Sequence, residues 1–196
     1  GVGVGLKSVS STAITSSSSA IYGSVTNPTA LGQRSNSGAD MAGGRIHISC
    51  GSMKIDTEAQ VVAKGAGSAS GGTINIQVKD GGAVEGDGLI DVGVIEYTGG
   101  STMHAGGGRV ALVNYGDLSS GILNRVGMDG QKKQPSGTGT MYHKKKGQNG
   151  NILVRSTFTT NVDTAIDGPD ALVQFEVKNA RVTYSVPEAS TELACD

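Results

Sequence analysis

The sequence has few of the residues on which compact globular cores are commonly built. It contains no tryptophan, and only five tyrosines and two phenylalanines among 196 residues. Its hydrophobic side chains are mainly valine, isoleucine, leucine and alanine, which suit flat, stacked strand surfaces. A rounded core packed around large aromatic side chains is therefore not expected.

An excess of charge of one sign and long apolar runs are also missing. Sixteen basic and 17 acidic residues give a net charge of −1, which provides no drive toward nucleic acid or an anionic membrane. No apolar run approaches the ~20 residues that a membrane helix needs, so neither nucleic acid nor membrane insertion is predicted. The chain begins at Gly1 without a signal-peptide pattern, and we expect it to be a piece of a longer protein.

Cysteine is almost absent, with two residues at Cys50 and Cys195. They form a disulfide if the chain is extracellular, or they are two buried free thiols, and their spacing does not decide between these interpretations. There is no Cys-x-x-Cys pair and no Cys/His spacing typical of zinc. The sequence predicts no metal site and no cofactor.

Helical periodicity is missing as well. No window of about 11 residues keeps apolar side chains at i, i+3, i+4 and i+7. Short alternating runs occur instead, and we predict each to be a strand with one buried face. These runs are 45–49, 73–78, 109–113 and 151–154.

Glycine is abundant, with 32 residues against an average usage of about 7%. It does not recur at every third position, which excludes collagen. Three of the alternating runs follow a glycine pair, and these pairs are Gly43-Gly44, Gly71-Gly72 and Gly107-Gly108. The glycines are expected where the backbone turns sharply or adopts a positive φ.

A second unit follows these glycine anchors. Val61–Gly65 lies as far after Gly44 as Leu89–Gly93 lies after Gly72, and the third copy reaches Val126-Gly127 two positions earlier. The anchors themselves are unevenly spaced, which indicates a fixed coil with variable loops at 99–104 and 131–135. Periods of 20 to 50 residues are typical of solenoids.

We therefore predict an all-β fold, a right-handed parallel β-helix whose strands stack ~4.8 Å apart. Ile46, Ile74 and Val110 are expected in one inward column, with His47 pointing outward. A β-sandwich is the alternative, since it explains the alternation but not the glycine anchors. The coils span 1–160, most clearly 43–155, and 161–196 forms a terminal coil or cap and a linker.

Three segments carry a resemblance to a known group of proteins. Gly106–Leu112, Gly88–Gly93 and Gly137–Lys144 resemble the glycine-rich parallel β-helix repeats of very large secreted and cell-surface proteins. The pattern is GGGRI-x-I, followed by G-x-G-T-x-Y-x-K. The resemblance covers roughly residues 43–155 and implies an extracellular, adhesin-like or fibre-forming protein.

No catalytic constellation is predicted. The outward carboxylates Asp56 and Glu58, and Glu85 and Asp87, keep open a carbohydrate-active or glycan-binding β-helix, because acidic pairs cleave sugars. The basic run 144–146 is a solvated loop or holds an anionic glycan. A calcium repeat would need tandem copies, and 86–91 occurs once.

The function expected from these features is that of a structural module, not an enzyme. It would belong to an extracellular fibre, appendage or cell-surface stalk and would contact its own copies or other segments of the same large protein. Unpaired strands at the ends of a solenoid need a cover. The assembly edges predicted from sequence are Val2, Val4 and Leu6 at one end and Val177, Val182 and Val186 at the other.

Overall fold

The computed structural model describes residues 24–33, 41–67, 69–95, 105–130, 136–157, 163–167, 174–179 and 181–185. The regular secondary structure of this part of the chain is almost entirely strand, so the all-β prediction is confirmed. The strands are β1 (Arg45–Cys50), β2 (Met53–Ile55), β3 (Gln60–Val62), β4 (Gly65–Ala66), β5 (Thr73–Val78), β6 (Val84–Gly86), β7 (Leu89–Asp91), β8 (Val94–Ile95), β9 (Arg109–Tyr115), β10 (Val126–Gly127), β11 (Thr140–Lys145), β12 (Gly150–Arg155), β13 (Asp163–Asp167), β14 (Gln174–Lys178) and β15 (Arg181–Ser185). One short helix, α1 (Ser120–Asn124), lies between β9 and β10.

The largest sheet has six strands in the order β1-β5-β9-β11-β12-β14. Its first four strands are parallel, and Ile46 pairs with Ile74, which pairs with Val110. The predicted column is therefore present in the predicted register. β12 runs antiparallel to β11, and β14 runs parallel to β12.

The smaller sheets pair strands in the same order along the chain. β2 pairs with β6, β3 with β7, β7 with β10, and β4 with β8, all in parallel. The strand group β1–β4 therefore lies beside its counterpart β5–β8, strand by strand. In the next group a single bridge between Leu118 and Val84, followed by α1, stands where a partner of β6 would be.

One hydrogen bond recurs at the entry to three strands of the large sheet, β5, β9 and β11. Gly72 N donates to Ala63 O at 2.8 Å, Gly108 N to Val92 O at 2.7 Å, and Gly139 N to Met128 O at 2.7 Å. The chain between each carbonyl and its glycine differs in length from group to group. The predicted loops at 99–104 and 131–135 fall inside two of these intervals but outside the described residues.

The anchor glycines are required by close backbone approach. A Cβ on Gly72 would lie 2.0 Å from Gly44 O, and one on Gly108 would lie 2.0 Å from Gly72 O. Neither glycine has a positive φ, so for these anchors that part of the prediction was wrong. Contact between successive backbones, not left-handed geometry, selects glycine here.

The second unit of the repeat, which contains β3 and β7, has a pairing register that differs by one residue from the alignment on the glycines. Val61 pairs with Ile90, not with Leu89, and Gly65 pairs with Val94, not with Gly93. Ile90 is fully buried in the core, whereas Leu89 is only partly buried. A one-residue shift exchanges the two faces of a strand, so core burial of Ile90 determines the register.

The core fills the space between the sheets. It contains the inward side chains of the large sheet, such as Ile74, Ile76 and Leu112, together with Ile90 and Val126 from the other side. On β1 the alternation is as predicted, with His47 exposed between the half-buried Ile46 and Ile48.

The prediction of one buried face is wrong for β5. Asn75 is 1% exposed although it points away from the core, because residues 24–33 cross that face. Asn75 Nδ2 donates to Asn27 Oδ1 at 2.8 Å, and Thr73 Oγ1 donates to Ala30 O at 2.7 Å. On β9, Ala111 is likewise fully buried on the outward side.

The helix α1 is held at both ends by side chains. Ser119 Oγ accepts a hydrogen bond from Gly121 N at 3.1 Å and donates to Gly86 O at 2.6 Å. Arg155 Nη2 donates to Leu123 O at 2.9 Å, and to Asn124 O and Val126 O at 3.2 Å. The arginine thereby satisfies carbonyls at and beyond the end of the helix.

Candidate assembly interface

β1 forms one edge of the large sheet. Thr73 N donates to Gly44 O at 2.9 Å, and Lys79 N donates to Cys50 O at 2.7 Å. Since backbone groups alternate in direction along a strand, those of 44, 46, 48 and 50 point to β5. The N–H and C=O groups of Arg45, His47 and Ser49 point to the other side, where no described strand pairs with them.

The apolar side chains beneath this edge are incompletely covered. Five of the seven partly buried hydrophobic residues packed against the core lie on β1–β3: Ile46, Ile48, Cys50, Met53 and Val61. Their partners on β5, Ile74 and Ile76, are fully buried. The difference arises because β5 has a neighbour on both sides, whereas β1 has a described neighbour on one side only.

The opposite edge of the sheet is β14, and it is polar on the core side. Glu176 pairs with Leu153, which pairs with Met141, so Glu176 stands in the column that begins at Ile46. Glu176 and Lys178 are both exposed. Charged residues facing the inward side of an edge strand discourage further pairing.

The assembly edges predicted from sequence are located only in part. Val177 lies on β14 and is 47% exposed. Val182 lies on β15, which pairs in parallel with β13. Val2, Val4, Leu6 and Val186 lie outside the described residues. Sequence reasoning missed β1 as an edge, although the alternation of 45–49 after the first clear glycine anchor was the available signal.

Only one of the two cysteines lies among the described residues. Cys50 is half-buried at the end of β1 and pairs with no cysteine of the described residues, and Cys195 lies outside them. The disulfide between them stays a prediction.

The acidic residues singled out in the sequence lie along β2, β6 and the turns that follow them. Lys54 forms an ion pair with Asp56 at 2.8 Å, and this hydrogen-bonded carboxylate raises the pKa of Lys54. Thr57 Oγ1 donates to Asp87 Oδ1 at 2.7 Å. Arg125 Nη1 donates to Asp87 O at 2.7 Å, which ties this turn to the residue after α1.

A histidine–tyrosine pair was not predicted. Tyr115 Oη and His143 Nδ1 are 2.8 Å apart, and the rings stack with centroids 6.2 Å apart. Burial lowers the pKa of His143 below 6.5, while the charge of Glu176 opposes the shift. Burial also raises the pKa of Tyr115 above 10.0. His47 is exposed, and His104 is outside the described residues.

Two further carboxylates serve as structural ties. Asp91 is 7% exposed; it pairs with Lys64 Nζ and accepts a hydrogen bond from Gly93 N at 2.8 Å. Asp129 accepts hydrogen bonds from Ser156 Oγ and Thr157 N at 2.8 and 2.9 Å. The ion pair of Asp91 with Lys64 and the bonds of Asp129 do not follow from local spacing, because these partners are brought together by the stacking of the groups.

The basic run 144–146 is divided among different contacts. Lys145 Nζ lies 3.3 Å from Asp117 Oδ1, and the side chains are 43% and 88% exposed, respectively. Lys146 N donates to Tyr115 O at 2.8 Å, and its side chain passes close to Gly81. An exposed pair of this kind contributes little to stability, and the run presents no single converging cluster.

Within the ranges that the structure describes, no three histidine, cysteine or acidic side chains converge as metal ligands. No helix in those ranges is long and apolar enough to cross a membrane. Comparison with known proteins adds no relative: no protein-family model matches the chain, and neither a curated protein nor a solved structure is significantly similar to it.

Proposed function

We propose that the chain is a segment of a right-handed parallel β-helix and serves as a structural module of an extracellular fibre, appendage or cell-surface stalk. Parallel pairing of successive strand groups and the thrice-repeated bond from a carbonyl to an anchor glycine support the β-helix. The hand follows from the strong preference of parallel crossovers for right-handed connections. The glycine-rich resemblance supports the extracellular setting.

The observation that carries the function is the edge of the large sheet at β1, where no described strand pairs with Arg45, His47 and Ser49. A strand with free backbone groups above half-buried isoleucines is a template for another strand, and Ile46 and Ile48 supply that apolar surface. The module therefore assembles through its coil edges, with copies of itself or with other segments of a larger protein, and it performs no catalysis.

Electron microscopy and analytical ultracentrifugation of the chain at physiological salt test this proposal. The expected result is concentration-dependent assembly, with elongated particles in the native source material. A monodisperse monomer at every concentration, together with compact particles in the source, would contradict it.

A carbohydrate-active or glycan-binding β-helix is the second candidate. It is favoured by the exposed carboxylates of Asp56, Glu58 and Glu85 along one side of the stack. A panel of acidic and neutral polysaccharides distinguishes the two functions. Turnover or binding that is lost in Asp56→Ala or Asp87→Ala, and retained in Glu176→Ala on the far edge strand β14, would favour this candidate over the structural module.

A further inference from the structure

The open end of the stack extends beyond one strand. The incompletely buried apolar side chains of β1, β2 and β3 pack against the core at one end of the described stack. Each of these strands has one described neighbour, in the second strand group, and none on its other side. A partner that covers only the backbone of β1 would leave Met53 and Val61 uncovered. The partner must therefore bring an apolar end surface of its own as well as a strand edge.

A second copy cannot supply that surface through β14. In a head-to-tail arrangement that continues the columns of the sheet, Glu176 of one copy would lie over Ile46 of the next, because the column that begins at Ile46 ends at Glu176. The Ile48 column ends at another polar residue, Gln174. Burial of charges against isoleucine without a partner is strongly unfavourable. The far edge of the sheet is therefore excluded as the occupant of the β1 edge.

The β1 edge is, by contrast, complementary to itself. In an antiparallel pair centred on His47, Ile46 faces Ile48 of the second copy and Arg45 faces Ser49, so apolar side chains meet apolar ones. No two lysines or arginines meet on this strand. The register also agrees with the backbone, since Arg45, His47 and Ser49 are the residues whose hydrogen-bonding groups point to the free side. A one-residue slip would place isoleucine opposite histidine.

We infer that β1 pairs antiparallel with β1 of a second copy, about a two-fold axis that passes at His47. This inference rests on the proposed edge-assembling function and names its partner. The contact is isologous, the commonest symmetry of soluble homo-oligomers. It joins two stacks end to end, covers Met53 and Val61 with the equivalent surface of the copy, and leaves both β14 edges at the outer ends.

The backbone contact can be tested with a matched pair of variants of the 196-residue chain. His47→Pro removes a donor on the free side, where proline is tolerated at an edge, and His47→Ala keeps that donor. Loss of two hydrogen bonds per dimer predicts dissociation roughly tenfold to a hundredfold easier for His47→Pro. His47→Ala should dimerise like the parent chain in analytical ultracentrifugation, with circular dichroism as the check on folding.

A crosslinking test does not depend on the proline variant folding. In a background of Cys50→Ser and Cys195→Ser, His47→Cys should be linked to its copy by a short reagent that joins two thiols, because hydrogen-bonded antiparallel pairs lie ~5.5 Å apart at Cα. A direct disulfide would need the closer Cβ atoms of a non-hydrogen-bonded pair. Ser49→Cys faces residue 45 of the copy and should not crosslink.

The outcomes separate this inference from the proposed function. A monomeric parent chain overturns the dimer, as does the absence of crosslinking by His47→Cys. Crosslinking through Ser49→Cys alone overturns the axis at His47. Assembly that persists unchanged in His47→Pro overturns pairing through β1 while leaving a module that assembles through another edge.

Discussion

The hydroxyl oxygen of Tyr115 lies 2.8 Å from Nδ1 of His143, at the end of the sheet where β9 meets β11. The contact depends on an irregularity in β9. Asn114 has a φ of 63°, and the pairing skips it, so that Lys145 is opposite Tyr115. The bulge turns the tyrosine ring back toward the core, where only 6% of it remains exposed.

Folding stability should fall as the pH drops below the ordinary histidine pKa. The unfolded chain binds a proton on His143 near pH 6.5, whereas burial lowers the pKa of the folded state. Between the two values the unfolded state holds more protons, so stability rises with pH across that window. Urea unfolding at pH 7.5 and at pH 5.5 measures the effect.

The control for this pH dependence is a second histidine. His143→Gln should reduce the loss of stability between pH 7.5 and 5.5, whereas the same substitution at the exposed His47 should leave it unchanged. Equal pH profiles for the two variants would mean that His143 is not the group responsible.

Burial predicts a graded series of stabilities along the inward column next to Ile46. Ile76 is fully buried, and Ile76→Asp should cost about 4 kcal/mol or abolish folding, because a buried charge has no partner there. Ile48 pairs with Ile76 but is only half-buried, so Ile48→Asp should cost less. His47→Ala should stay within about 0.5 kcal/mol.

Thermal and denaturant unfolding of the three variants would rank them. If Ile48→Asp were as costly as Ile76→Asp, β1 would be covered as completely as β5 in solution. If His47→Ala cost as much stability as either of them, the assignment of His47 to the outward face of β1 would be wrong.

Arg155 should contribute more to folding stability than its position near the end of the described core suggests. Arg155→Met leaves the carbonyls of Leu123, Asn124 and Val126 without their charged donor, and the expected cost is about 1–3 kcal/mol. Lys178→Met, an exposed change on the neighbouring strand, should lie within about 0.5 kcal/mol. Comparable costs for the two variants would rule out the carbonyl contacts as the cause.

Local sequence patterns predicted the large sheet better than the rest. Alternation after a glycine pair sufficed to align Ile46, Ile74 and Val110, because the paired residues lie at the same distance from their glycines in all three strands. The offset between paired residues changes from 28 at β1–β5 to 29 at β3–β7. Intervening turns of different length cause this shift, and counting from the glycines cannot detect it.

Tertiary contacts account for the features that the alternation of apolar and polar residues did not predict. The outward face of β5 is buried by residues 24–33, which reach Asn75 from 48 positions away. The Tyr115–His143 contact needs the bulge at Asn114, and nothing in the alternation of 109–113 indicates it. The sequence could predict that the sheet has an edge strand. The assignment of that edge to β1 needed the strand pairing and the partial burial of Ile46 and Ile48.

The anchor glycines give the sharpest test of stacking. Gly108→Ala would place a Cβ about 2.0 Å from Gly72 O, so the backbones of two successive groups would have to separate. That separation would lengthen the bond from Arg109 N to Gly72 O, now 2.9 Å, and the bond from Gly108 N to Val92 O, now 2.7 Å. Overpacking of this kind costs about 1–3 kcal/mol, and here it strains backbone that cannot move as a side chain does.

Gly44 occupies the equivalent position in the first group and is the matched control. No atom of the described residues lies within 4 Å of a Cβ built on it, and its φ is not positive. Gly44→Ala should therefore be neutral or stabilising by up to about 1 kcal/mol, because alanine restricts the unfolded chain. Equilibrium unfolding of both variants measures the difference. Equal stabilities would mean that the groups are not stacked backbone to backbone at Gly72 and Gly108, whereas a destabilised Gly44→Ala would mean that the first group has a further neighbour on its open side.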